Sequence, residues 1–91
     1  MRESAIEKYL HRQVTKAGGT TRKWVSPGHR GVPDRIVFWP GGNVVFIELK
    51  APTKKVSDAQ YRERRRLEGF DAEVWLIDTK DDVDFYVASL K

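Results

Sequence analysis

The chain contains no cysteine. That excludes disulfides and thiolate metal sites and fits a cytoplasmic protein. It has no apolar run near the ~20 residues that a membrane-spanning helix needs. The opening MRESAIEKYLHRQ is charged throughout and lacks the apolar segment of a signal peptide. No internal repeat and no low-complexity segment breaks the 91 residues, so one domain over 1–91 is expected, with a modest core. What is present argues against disorder. Hydrophobic residues make up 40%, including three Trp, three Tyr and four Phe. Lys and Arg number 17 against 13 acidic residues, and the resulting pI of about 9.6 is compatible with a polyanionic partner.

Hydrophobic spacing places the elements. Ile6, Tyr9, Leu10, Val14 and Ala17 share one helical face, predicting a helix over 4–17. Ser4-Ala5-Ile6-Glu7 has the form of a capping box at its start, and Gly18-Gly19 ends it. A short strand is expected at 22–25, followed by the Gly/Pro-rich loop SPGHRGVP. A hairpin comes next, with strands at 35–39 and 44–50 around a turn at 40–43. Ser57-Asp58-Ala59-Gln60 is a second capping box, opening a helix to 67 or 68 with Gly69 as its stop. EVWLID at 73–78 is a fourth strand, and a last helix starts at Thr79, with Val83, Tyr86, Val87 and Leu90 on one face. The order α-β-β-β-α-β-α describes an α/β fold, a mixed central sheet flanked by helices.

The hairpin VPDRIVFWPGGNVVFIELK carries charge at its open end: Asp34 opens the first strand, and Glu48 and Lys50 close the second. A two-residue loop at Gly41-Gly42 would pair Asp34 with Leu49, and a three-residue loop would pair it with Lys50. Glu48 and Lys50 share a face, because strand side chains alternate. In either register the three groups converge within one residue step. A surface ion pair between Asp34 and Lys50 is the plainer alternative, and such pairs contribute about 0–1 kcal/mol. Against it, Glu48 follows the apolar run VVFI, so its strand should be central and buried. A buried carboxylate is costly unless paired or bound to a cation. Mg²⁺ suits such a pair, taking one or two carboxylates and completing its shell with water and phosphate oxygens.

GVPD at 31–34, IELK at 47–50, the K…S-x-x-Q lead into the next helix and the closing G…EVWLID strand together resemble the PD-(D/E)XK nuclease superfamily. The closest likeness is to its VRR-NUC (virus-type replication-repair nuclease) family, in the stand-alone form common in phages and prophages. The likeness spans nearly the whole chain. One departure is Arg35 after the aspartate, where an apolar residue would be expected.

The resemblance implies a restriction-endonuclease-like core and Mg²⁺- or Mn²⁺-dependent hydrolysis of DNA phosphodiesters. Branched DNA, such as four-way junctions or flaps, is the implied substrate, and for a phage-encoded protein the bacterial host cell is the implied location. A binding module that kept the fold without catalysis is the alternative. Asp34 and Glu48 match the metal-binding carboxylates, and the Leu49 carbonyl matches a further ligand position. Lys50 would orient the attacking water or stabilise developing charge. Glu7 matches an acidic residue near the metal, though it could instead cap its own helix. Gln60 matches a site glutamine, though it too could serve as a cap. It lies on a stripe with Val56, Glu63, Leu67 and Phe70 expected to face the sheet.

Lys54 and Lys55, with Arg62 and Arg65 among the arginines of QYRERRRLEG, form a candidate phosphate-contacting patch, and His29 and Arg30 lie in the loop beside Asp34. Trp24, Trp39 and Trp75 are expected in the core or at a dimer contact. Cutting two strands at symmetric positions requires two active sites, so a two-fold homodimer is expected.

Overall fold

The computed structural model describes residues 2–90. Its elements are α1 (Glu3–Lys16), β1 (Thr20–Lys23), β2 (Arg35–Phe38), β3 (Val44–Leu49), α2 (Asp58–Gly69), β4 (Glu73–Ile77) and α3 (Lys80–Ala88). The expected order holds. The four strands lie in the order β1-β2-β3-β4, antiparallel across β1, β2 and β3 and parallel between β3 and β4. The parallel pair needs a crossover, and α2 supplies it. No helix among the described residues is long and apolar enough to cross a membrane.

Strand alternation sorts the sheet into two unequal faces. Val37, Val45, Ile47, Leu49 and Ile77 point toward α1 and α3, where they bury Ile6, Leu10, Val14, Val83 and Tyr86. The Trp39 indole donates to the Tyr86 hydroxyl at 2.9 Å, so the buried phenol keeps a partner. Trp39 and Trp75 pack on this core, as expected. The other face carries Glu48, Val74 and Leu76, and α2 packs against β4 there. Over β1 to β3 that face has a tilted Trp24–Phe46 pair with centroids 5.2 Å apart.

Four local expectations differ from the structure. α1 has Arg2 as N-cap, with no side-chain cap bond; Ser4 lies inside the helix, and Glu7 turns to Arg35 instead of capping. β1 runs Thr20–Lys23, two residues earlier than the apolar Trp24-Val25 pair suggests, because it pairs Thr20 with Phe38 and Lys23 with Arg35. Val25, lying beyond the ladder, is exposed.

The hairpin adopts neither expected register. The Trp39 amide donates to the Asn43 carbonyl at 2.9 Å, which makes the turn Pro40-Gly41-Gly42 and pairs Phe38 with Val44. Both turn glycines have positive φ, 93° and 89°, which other residues reach only with strain. Finally, α2 keeps Gly69 in its last turn, and the reversal comes at Asp71, at φ 65°. Phe70 is therefore exposed rather than facing the sheet.

Candidate active site

A bulge at the start of β2 sets the site's geometry. The β2–β3 ladder ends with Arg35 opposite Ile47, and the Asp34 amide also donates to the Ile47 carbonyl at 3.0 Å, so two residues oppose one and the strand bends. Lys50 donates its amide to Ile77 on the β4 side. Leu49, one residue earlier, presents its N–H and carbonyl toward β2, where the bend has removed the backbone partner. The Asp34 side chain fills the gap, and its Oδ2 accepts the Leu49 amide at 2.7 Å. One short bond thus holds the aspartate beside the end of β3.

Glu48 lies on the central strand and is 5% exposed. The Gln60 side-chain amide donates to its Oε2 at 2.7 Å. Burial, then the charge and hydrogen bonding of Asp34, push the Glu48 carboxyl up to about 8, while Lys50 pulls the other way. Gln60 combines the two roles left open in the sequence. Its Oε1 accepts the Ser57 amide at 2.9 Å, and its own amide donates to Ser57 Oγ, completing the capping box. With the oxygen committed to the cap, the NH₂ end must point at Glu48.

The first helix contributes a carboxylate that sequence reasoning passed over. Burial first, then Asp34, raise the Glu3 carboxyl, while Lys50 lowers it, which places Glu3 in the field of the site. The Glu3–Glu7 spacing of four residues, one helical face, was the available signal. Glu7, the expected acid, has its Oε2 held by the Arg35 Nε at 2.7 Å. Arg35, a departure from the motif, is thus the partner of the first helix.

This donor set fits a hard divalent cation. Asp34 and Glu48 face each other, and without a cation the burial of one carboxyl is relieved by a proton. No group of three or more His, Cys, Asp or Glu is poised as a complete metal cage among the described residues. Two carboxylates and a carbonyl suit an ion that takes its other ligands from water and phosphate.

The basic candidates divide. His29, Arg30 and Arg62 line one cleft with Ala59, Glu63 and Arg66. Arg65 instead donates to the Tyr61 hydroxyl at 3.1 Å and lies over that ring. Lys54 and Lys55 are exposed in the segment before α2.

No protein-family model matches the chain. It is 47% identical over 81 residues, 89% of this chain and 87% of the relative, to "Putative nuclease p44" of Acyrthosiphon pisum secondary endosymbiont phage 1. The fold also superposes on a solved structure described as "VRR_NUC domain", with a TM-score of 0.87 and 30% identity over 94% of each chain.

Proposed function

The chain belongs to the VRR-NUC nuclease family, and from that membership we propose that it is a divalent-metal-dependent deoxyribonuclease acting as an endonuclease on branched DNA, such as four-way junctions or flaps. The observation that carries the metal dependence is the facing pair of Asp34 and buried Glu48, with Gln60 aimed at one and the Leu49 amide at the other. Asp34, Glu48 and the Leu49 carbonyl would hold Mg²⁺ or Mn²⁺. When bound, the ion polarises the scissile phosphate, lowers the pKa of a water and offsets transition-state charge.

Glu48 must give up the proton that burial favours, so cation binding is coupled to proton release. Lys50, one residue past β3 and close enough to Glu48 to act on its carboxyl, would stabilise negative charge on the phosphate. A base role would need its pKa to fall by several units, which neighbouring carboxylates oppose. Arg35 holds Glu7 and thereby ties α1 to β2 beside the site.

Specificity for branched DNA is supported by the family's place in replication and repair. Homodimer formation is supported by the partly uncovered sheet face, where Phe38 and Val44 sit opposite each other and 40% and 38% exposed. A second copy of the chain covering that face would bring the two sites into one particle.

The test is cleavage of labelled linear, flap and four-way-junction DNA with Mg²⁺, Mn²⁺ or EDTA. Paired, metal-dependent cuts near the branch point are expected, from a particle sedimenting at twice the 10.5 kDa chain. Cutting that persists in EDTA would sink the metal role, and equal cutting of linear DNA would sink the branched-substrate reading.

Gln60→Glu separates the residue's two jobs. Glutamate at this position still accepts the Ser57 amide, so the cap survives. It has no N–H for Glu48, and cleavage should drop roughly 10- to 100-fold, the usual cost of losing an outer partner of a metal ligand. Gln60→Ala also loses the bond from the Ser57 amide, at about 0.5–1 kcal/mol of stability, while Ser57 Oγ still accepts the backbone amide of residue 60. Initial rates and thermal melts check both, and a Gln60→Glu protein cutting at the wild-type rate would contradict the assigned role.

A further inference from the structure

One helical turn beyond Gln60, about 5.4 Å along α2, lies a second polar constellation. Glu63 is 6% exposed although it is charged. Its Oε1 meets His29 Nε2 at 2.7 Å and accepts from Arg66 Nη1 at 2.9 Å. The Arg66 Nη1 and His29 Nε2 atoms are themselves 3.3 Å apart. A buried carboxylate is tolerated only with such partners, and here it links α2 to the loop before β2. The same loop is pressed onto the helix at Gly31, at φ +86°, where a Cβ would collide with the Ala59 carbonyl. Two independent contacts therefore fix the loop. Between loop and helix they leave an open cleft lined by His29, Arg30, Arg62, Glu63 and Arg66. Arg30 and Arg62 have no ion-pair partner among the described residues.

Resting on the nuclease reading, we propose that this cleft is a phosphate subsite for the substrate strand. In it Arg30, Arg62 and Arg66 clasp one phosphate, and Glu63, with His29, is the positioning residue that sets the clasp. Guanidinium forks match phosphate oxygens in bidentate geometry. Because Glu63 lies one turn of α2 from Gln60, which bonds Glu48, the cleft adjoins the carboxylate pair and suits a phosphate of the same strand. The phosphate is either an internal diester or a 5′-terminal group near the cut; both present anionic non-bridging oxygens, two on the diester and three on the terminal group.

Binding in EDTA tests the subsite without requiring cleavage. The probes are a labelled single strand with a 5′-phosphate and the same strand with a 5′-hydroxyl. The double variant Arg30→Gln/Arg62→Gln should lose about tenfold in affinity, with the slope of log K against log[salt] flattened by about 1. The charge-matched Lys8→Gln/Lys16→Gln on α1 should lose far less. A loss confined to the 5′-phosphorylated strand assigns the terminal group; equal loss on both assigns an internal diester. Equal weakening in both double variants would mean diffuse attraction and overturn the subsite, as would no loss, or a wild type that binds neither strand.

Glu63→Met and Glu63→Gln make the same charge change, but only Gln keeps an acceptor for Arg66 and His29. Met should weaken binding although the protein becomes more positive, and Gln should restore it, with folding followed by circular dichroism. Tighter binding by Glu63→Met would overturn the positioning role. A wild type that binds through the cleft yet cuts nothing in Mg²⁺ would fail the nuclease reading alone.

Discussion

Glu48→Gln is expected to abolish cleavage while making the metal-free protein more stable at pH 8. In the unfolded chain Glu48 titrates near 4.5; in the fold, burial and Asp34 push it to about 8. Between those values the folded protein holds a proton that the unfolded chain has released. The Glu48 contribution to stability is therefore fully present below about 4.5, falls as the pH rises, and is lost above about 8. Each unit of that window corresponds to at most 1.36 kcal/mol, so the total is on the order of a few kcal/mol. Glutamine at 48 does not titrate and can still accept from Gln60, so the fall should vanish in the variant.

Urea unfolding in EDTA between pH 5 and 8 measures this directly. Mg²⁺ should restore wild-type stability at pH 8 and leave the variant unchanged, while the variant's cleavage falls at least a hundredfold. A flat wild-type profile would mean that Glu48 is not held in the environment described.

Lys50→Ala should lower kcat by about 10²–10³, the range for removing one transition-state stabiliser, with KM and the Mg²⁺ midpoint within a few-fold of wild type. That split marks an interaction made mainly in the transition state. Lys50→Arg keeps the cation but changes its shape and hydration, so it should retain a measurable part of the rate. If lysine acted as a base, arginine would be as inactive as alanine, and the rising limb of the pH–rate profile would go with it. An arginine variant with no activity on a correctly folded protein would reverse the electrostatic assignment.

Several features of the site were legible because they are local. Asp34 before a strand, Glu48 and Lys50 two apart on an apolar strand, and Gln60 three after Ser57 follow from period-2 and period-3.6 geometry. That Gln60 is both cap and site residue was not legible, since the cap is a contact within α2 and the bond to Glu48 crosses from α2 to β3. Glu3 was hidden by the plausible cap at Ser4. Arg66 was hidden among neighbouring arginines; its distinction comes from Glu63, three residues before it, and from His29, 37 residues away.

By itself, the sequence determined the order of elements, the buried residues of α1 and α3 such as Ile6, Leu10, Val14, Val83 and Tyr86, and the charged types at the end of β3, because these rest on spacing along the chain. Only the tertiary structure decided the hairpin register, the exchange of Glu7 to Arg35, the raised Glu48 carboxyl and the arginine cleft. The turn Pro40-Gly41-Gly42 permits more than one pairing. Which carboxylate is buried, and which cation lies opposite it, depends on how sheet, loop and helix meet across long stretches of chain.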